Sequence, residues 1–244
     1  MARFTSANDV INRTLVEIGL AKTNDPVASN EEAAVQARAL LDSAGQELVR
    51  LNQWQMLEQN FSFTTQAGDT GIYDLPDDFS YMIDQTGWDQ TNRVAIGGPL
   101  SSQDWAYLVG RDLVSQSIYA SFKLQSNKLE LFPQPPPEGL KVSFDYMSRN
   151  WLASQTNTDN RFDTIQTGSD IVLFEPILIV KFLKVKMLEA KGFDASSARL
   201  EFETMMDAVT GQDVGASILS ASRTGRSFPY LNGYTSVGDT GYGM

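Results

Sequence analysis

Apolar positions recur at helical spacing in two stretches near the start of the chain. Val10, Ile11, Leu15 and Ile18 fall on one face of a short helix that Asn8-Asp9 is placed to cap and Gly19 to end. After a turn through Asn24-Asp25-Pro26, Ser29 and Glu32 have the spacing of a capping box. Ala33, Ala37, Leu40, Leu41, Ala44, Leu48 and Leu51 then predict a long amphipathic helix, with Trp54 capping the core just beyond it.

From Phe61 the period shortens to two. The run FSFTT alternates, turn residues surround Tyr73 and Leu75, and Pro76 breaks any longer strand. Further strands are expected at 93–96, 117–124, 128–132 and 140–148. A short helix is expected at 101–111, with Trp105 and Leu108 facing inward. Leu129 and Leu131 on one side of a four-proline loop, and Val142, Phe144 and Tyr146 on the other, predict a β-hairpin with a stiff projecting tip at Pro135 and Pro136.

Helical spacing returns after the polar loop SQTNTDNRFD. A helix is expected within 170–192, with Pro176 in its first turn and Gly192 as its stop. Its apolar residues lie on several faces, which predicts a central, buried helix. A last helix is expected over 195–208, with Leu200, Met205 and Val209 turned inward. The fold class is therefore α+β: a bundle formed by N- and C-terminal helices, an inserted antiparallel β domain and an extended C-terminal arm. The expected divisions are 1–60, 61–150, 151–214 and 215–244.

Composition narrows the chemistry. There is no His and no Cys, so imidazole-dependent triads, thiol nucleophiles and the common zinc sites are excluded. Neither a metal nor a cofactor is expected, and no catalytic constellation emerges. Asp69, Asp74, Asp77 and Asp78 cluster without the alternating spacing of a calcium loop and read as solvated turn acids. The net charge of −11 argues against binding nucleic acid by neutralising its phosphates, yet an acidic wall would let DNA slide past without sticking. No apolar run approaches the roughly 20 residues of a membrane span, and the first residues lack the apolar core of a secretion signal. A soluble chain with no membrane partner is expected.

Two features suggest partners. Residues 215–244 are rich in Gly, Ser, Thr and Tyr, and Phe228, Tyr230, Tyr234 and Tyr242 have the chemistry of anchors that order an arm on docking. Lys181, Lys184 and Lys191 share a stripe of the expected central helix. The stripe reads either as a basic contact face or as lysines whose stems lie on the bundle while their ammonium groups stay in water.

The order of several short passages resembles a known family. They are NDVINRTLVEIGL, LVRLNQWQMLEQNFSF, YDLPDDF, GGPLSSQDW, LELFPQPPPEGLKVSFDYMSR and SDIVLFEPILIVKFLKVKMLEAKGFD, leading into ARLEFETMMDAV. Together they are similar to the head-to-tail adaptor (connector) proteins of tailed phages, especially the tail tubular protein A type of short-tailed phages. The resemblance implies a non-enzymatic virion protein made in the host cytoplasm. It also implies a ring of about twelve copies beneath the portal, joined to a downstream tail or nozzle protein, with genomic DNA passing through its channel. On that reading, the C-terminal arm reaches the portal or a neighbouring subunit. The alternative in another class is a glycan- or host-surface-binding module with Trp88 and Trp105 as platforms, and a carboxylate-dependent enzyme built on Asp69 to Asp78 comes third.

Overall fold

A computed structural model describes residues 4–110 and 120–213. Its framework is set by helix α4 (Pro176–Ala190), which carries Pro176 at its start and buries Leu178, Ile179, Val180, Leu183, Val185 and Met187. Buried residues on several sides leave such a helix no free face, so three others surround it: α1 (Ala7–Glu17), α2 (Glu32–Leu51) and α5 (Ser196–Asp213). Gly19 and Gly192 both take positive φ, +80° and +74°, just past the ends of α1 and α4, as expected of residues that free the chain from a helix.

Some local expectations change. Ser6, not Asn8-Asp9, caps α1, with its hydroxyl accepting from the amide of Asp9. Asn8 instead uses its side-chain oxygen to hold the amide of Val27, while Asn12 does the same for Thr23, so both asparagines tie down the α1–α2 loop. Ser29 caps nothing: its hydroxyl accepts from Glu31, and α2 starts without a side-chain cap. Leu51 and Leu200 point outward rather than inward, and the inner side of α5 is formed by Ala198, Phe202, Met205, Met206 and Val209. Trp54 is buried as expected, its indole donating to the carbonyl of Leu48 and its ring meeting Phe174 edge-on.

Between α2 and α4 lies the β module. Strands β2 (Glu58–Thr64), β4 (Phe79–Met82), β5 (Trp88–Asp89) and β6 (Val94–Ala95) gather around β9 (Lys141–Ser148). One edge of β9 pairs with β2 from Lys141 to Met147 and the other takes β4 and β5, while its side chains are buried on both faces of the sheet. A second sheet orders β3 (Ile72–Asp74), β8 (Lys128–Phe132) and β7 (Ser121–Gln125), all antiparallel. Phe122, Leu129, Leu131, Val142, Phe144 and Tyr146 make the module's own core. Helix α3 (Ser102–Gly110) begins behind Ser101, whose hydroxyl accepts from Asp104. None of its residues is buried, so Trp105 and Leu108 are only half covered.

The expected hairpin does not form. Strands β8 and β9 are sequence neighbours but belong to different sheets, and both edges of each are already taken. The connection carries Pro133, Pro135, Pro136 and Pro137, which have no N–H to extend a ladder. It is clamped instead by buried Thr65, whose hydroxyl donates to the Pro137 carbonyl (2.6 Å) and accepts from the Leu140 amide (2.9 Å). A further small sheet, unforeseen in the sequence, orders β1 (Thr5–Ser6), β12 (Ile171–Val172), β10 (Leu152–Ala153) and β11 (Arg161–Phe162). It lies partly in the stretch read as polar loop and adds Leu152, Ala153 and Val172 to the bundle core.

Candidate interaction surfaces

The lysines of α4 are engaged within the bundle. Lys181 pairs with Glu201 of α5 (2.7 Å), Lys184 with Glu17 of α1 (3.8 Å) and Lys186 with Glu47 of α2 (2.7 Å). Lys186 also lies 5.0 Å from the centre of the Phe182 ring, which itself stacks on Phe202. Three lysines thus cross-link α4 to three different helices. The Lys181 ammonium holds the exposed Glu201 carboxyl below its ordinary value. Lys191 is exposed at the end of α4.

The acidic loop is dispersed rather than assembled. Asp69 accepts from the Tyr73 hydroxyl (3.0 Å) and the Gln66 amide, Asp74 pairs with Lys128 (3.2 Å), and Asp78 accepts from the Tyr146 hydroxyl (2.9 Å). Burial and these carboxylate neighbours push both tyrosines well above their ordinary range, so they stay neutral donors. Among the described residues, no group of three or more acids is arranged to hold a metal ion.

At the proline connection, Pro135 is exposed and Pro136 is buried, so Pro135 alone of this pair is open to a partner. Trp88, on β5 between β9 and β6, is 39% exposed, and Trp105 lies half-covered, edge-on to Phe132. Phe228, Tyr230, Tyr234 and Tyr242 lie outside the described residues.

Two surfaces were not anticipated. The first is apolar: Phe193, in the turn between α4 and α5, and Leu200 on α5 are 63% and 66% exposed, while Val16 of α1 and Val35 of α2 are open elsewhere on the bundle. The second is a polar cleft of about 440 Å³ where the β module meets the small sheet. Asp77, Asp78, Asp159, Arg149 and Arg161 line it, with the amides of Gln59, Asn150 and Asn160. These residues come from the start of β2, the turn before β4, the segment just after β9, the β10–β11 loop and the first residue of β11, so no sequence spacing announces them.

The arrangement holds no catalytic constellation among the described residues; what it presents is surface. Residues 5–226, nearly the whole chain, match the SU10 adaptor protein family. No curated protein matches the chain. Phe228, Tyr230, Tyr234 and Tyr242 fall beyond the matched span, which ends with Arg226. The match over residues 5–226, which takes in the helical bundle and its inserted β module, shows that this chain belongs to the SU10 adaptor protein family, as a phage head-to-tail adaptor.

Proposed function

We propose that about twelve copies of this chain close head to tail into a ring that joins the portal to the tail, in the manner of the tail tubular protein A type. The observation that carries this reading is the adaptor-family match over residues 5–226. The exposed apolar side chains support it. A ring needs two unlike patches on each subunit, and the bundle offers Phe193 and Leu200 in one region and Val16 and Val35 on other helices.

The parts divide the work. Helical segments 1–60 and 151–214 build the ring, the β domain at 61–150 reaches outward through the Pro135 corner toward the tail, and arm 215–244 anchors on the portal or a neighbour through Phe228, Tyr230, Tyr234 and Tyr242. Lys181 and Lys184 serve a partner only by exchanging Glu201 and Glu17 for its carboxylates. With a net charge of −11, the channel wall repels DNA over about a Debye length, so the genome passes without being held.

The test is assembly on the portal by Phe193→Asp with Leu200→Asp. Both side chains are already solvent-exposed, so the variant should keep the wild-type fold and circular dichroism. The expected result is a folded protomer that no longer forms rings. Rings formed as readily as by the wild type would remove this face from the interface.

A further inference from the structure

Phe193 stands in solvent at a place where a helix ending usually covers such a residue. The Gly192 amide donates to the Glu189 carbonyl (3.0 Å) and the Phe193 amide to the Leu188 carbonyl (2.9 Å), the paired bonds that end a helix through a left-handed glycine. In that motif an apolar residue in the position of Phe193 frequently packs back on the one in the position of Leu188, yet Phe193 is 63% exposed. The chain is fixed on the far side as well: Asp194 accepts from the Ser196 amide (2.9 Å) and hydroxyl (3.1 Å) at the start of α5. An aromatic ring on a backbone held from both sides loses little freedom when a partner covers it, which is the property of an interface anchor. Lys191 beside it is exposed, and its ammonium has no partner among the described residues.

A matching seat must be apolar, carry a free acid and lie away from Phe193, since head-to-tail contacts join unlike patches. Val16 fails, because Arg13 and Glu17 beside it pair with each other and Glu17 also with Lys184. Leu51 follows Arg50, which has the same sign as Lys191, and Ile177 is only 37% exposed. Val35 meets all three conditions. It is 52% exposed, exposed Ala39 one turn on is small enough to leave room for a ring, and exposed Glu32 one turn back has a carboxylate without a partner among the described residues. The start of α2 lies beside the start of α1, where Asn8 holds the Val27 amide and Arg38 donates to the carbonyls of Val27 and Ile165. Lys184, in the second half of α4, reaches Glu17 at the other end of α1. The two patches therefore lie toward opposite ends of α1, a helix about 16 Å long.

We infer that Phe193 of one copy seats on Val35 and Ala39 of the next copy, with Lys191 paired to Glu32 across the contact. The pairing rests on the ring reading above and names the two surfaces that meet at each junction. Each copy uses both, one at either end, so the contact repeats around the ring.

Charge reversal in the full chain tests it, read as the protein concentration at which rings form on the portal at low salt. Lys191→Glu and Glu32→Lys should each raise that concentration at least about threefold, and the chain carrying both changes should return to within about twofold of the wild type. The losses should shrink in 0.5 M salt, where the Debye length is about 4 Å. A folding defect caused by either change would persist in the double variant, so its recovery reports the contact itself. Wild-type rings that neither single change disturbs overturn the pairing and leave the ring reading standing. A double variant as weak as the single ones overturns the pairing as well. A wild type that forms no ring overturns the ring reading, and the pairing falls with it.

Discussion

Replacing Gly45 by alanine should destabilise the protein, although the same change favours a helix elsewhere. Gly45 lies inside α2, and a Cβ added there would press into the Cε2, Cδ2 and Cζ2 atoms of Trp151. The indole has no room to retreat. It is fully buried, stacks on Phe174 with centroids 6.2 Å apart and planes 19° from parallel, and donates to the Asp163 carbonyl at 2.9 Å. Glycine to alanine in a helix interior gains about 0.8–1.0 kcal/mol. Overpacking a filled core costs about 1–3 kcal/mol, and displacing the indole from its acceptor adds about 0.5–1.5 kcal/mol. The net expectation is a loss of about 1–3 kcal/mol, which for a domain of this size lowers the melting temperature by about 3–10 °C. Gly211 in α5 is the control, because nothing lies within 4 Å of a Cβ built there. Gly211→Ala should leave stability unchanged or raise it by up to about 1 kcal/mol. Urea and thermal unfolding of both variants give the comparison. A Gly45→Ala protein as stable as the wild type would refute the tight approach of α2 to Trp151.

Thr65→Val should cost about 1–3 kcal/mol in urea unfolding, because it strands the Leu140 amide and removes the donor to the Pro137 carbonyl. Amide exchange should rise across 138–141; unaltered exchange would mean that the proline connection holds its place without this clamp. Lys186→Met should change stability by less than about 1 kcal/mol, since its partner Glu47 is half exposed, and the change should shrink further in high salt. A larger, salt-independent loss would contradict the screened pairing. Burial raises the pKa of Asp42 above 3.8 against the opposing Ile165 amide and Arg38, so the folded state holds this proton more tightly than the unfolded chain. Its contribution is therefore fully present below pH 3.8 and lost as pH rises through the raised folded value, and Asp42→Asn should flatten that part of the stability profile. A urea midpoint with the same pH dependence in both proteins would count against it.

Helices α1, α2 and α4 were legible because α1 and α2 each bury one periodic face and α4 buries residues on several. Pro176 and Gly192 mark the ends of α4 chemically, and its apolar surround predicted the helix at the centre. Strand positions were legible for the same reason, with 128–132 matching β8 and 140–148 overlapping β9. Their pairing was not, because alternation reports which face is buried and says nothing about which edge is free. Both edges of β8 and of β9 are taken by other strands, and that decided against the hairpin. The two-residue strands at Thr5, Leu152, Arg161 and Ile171 are too short for any period. Leu200 misled for a different reason: α5 packs mainly on α4, so most of its surface is open. The cleft draws on residues as far apart as Gln59 and Arg161, and only the fold brings them together.

The most direct test of the adaptor account is the mass of the purified protein, alone and mixed with its portal, by light scattering with negative-stain imaging. The account predicts a ring of about twelve copies, formed alone or on the portal. A protein that stays monomeric and leaves the portal unbound would contradict it.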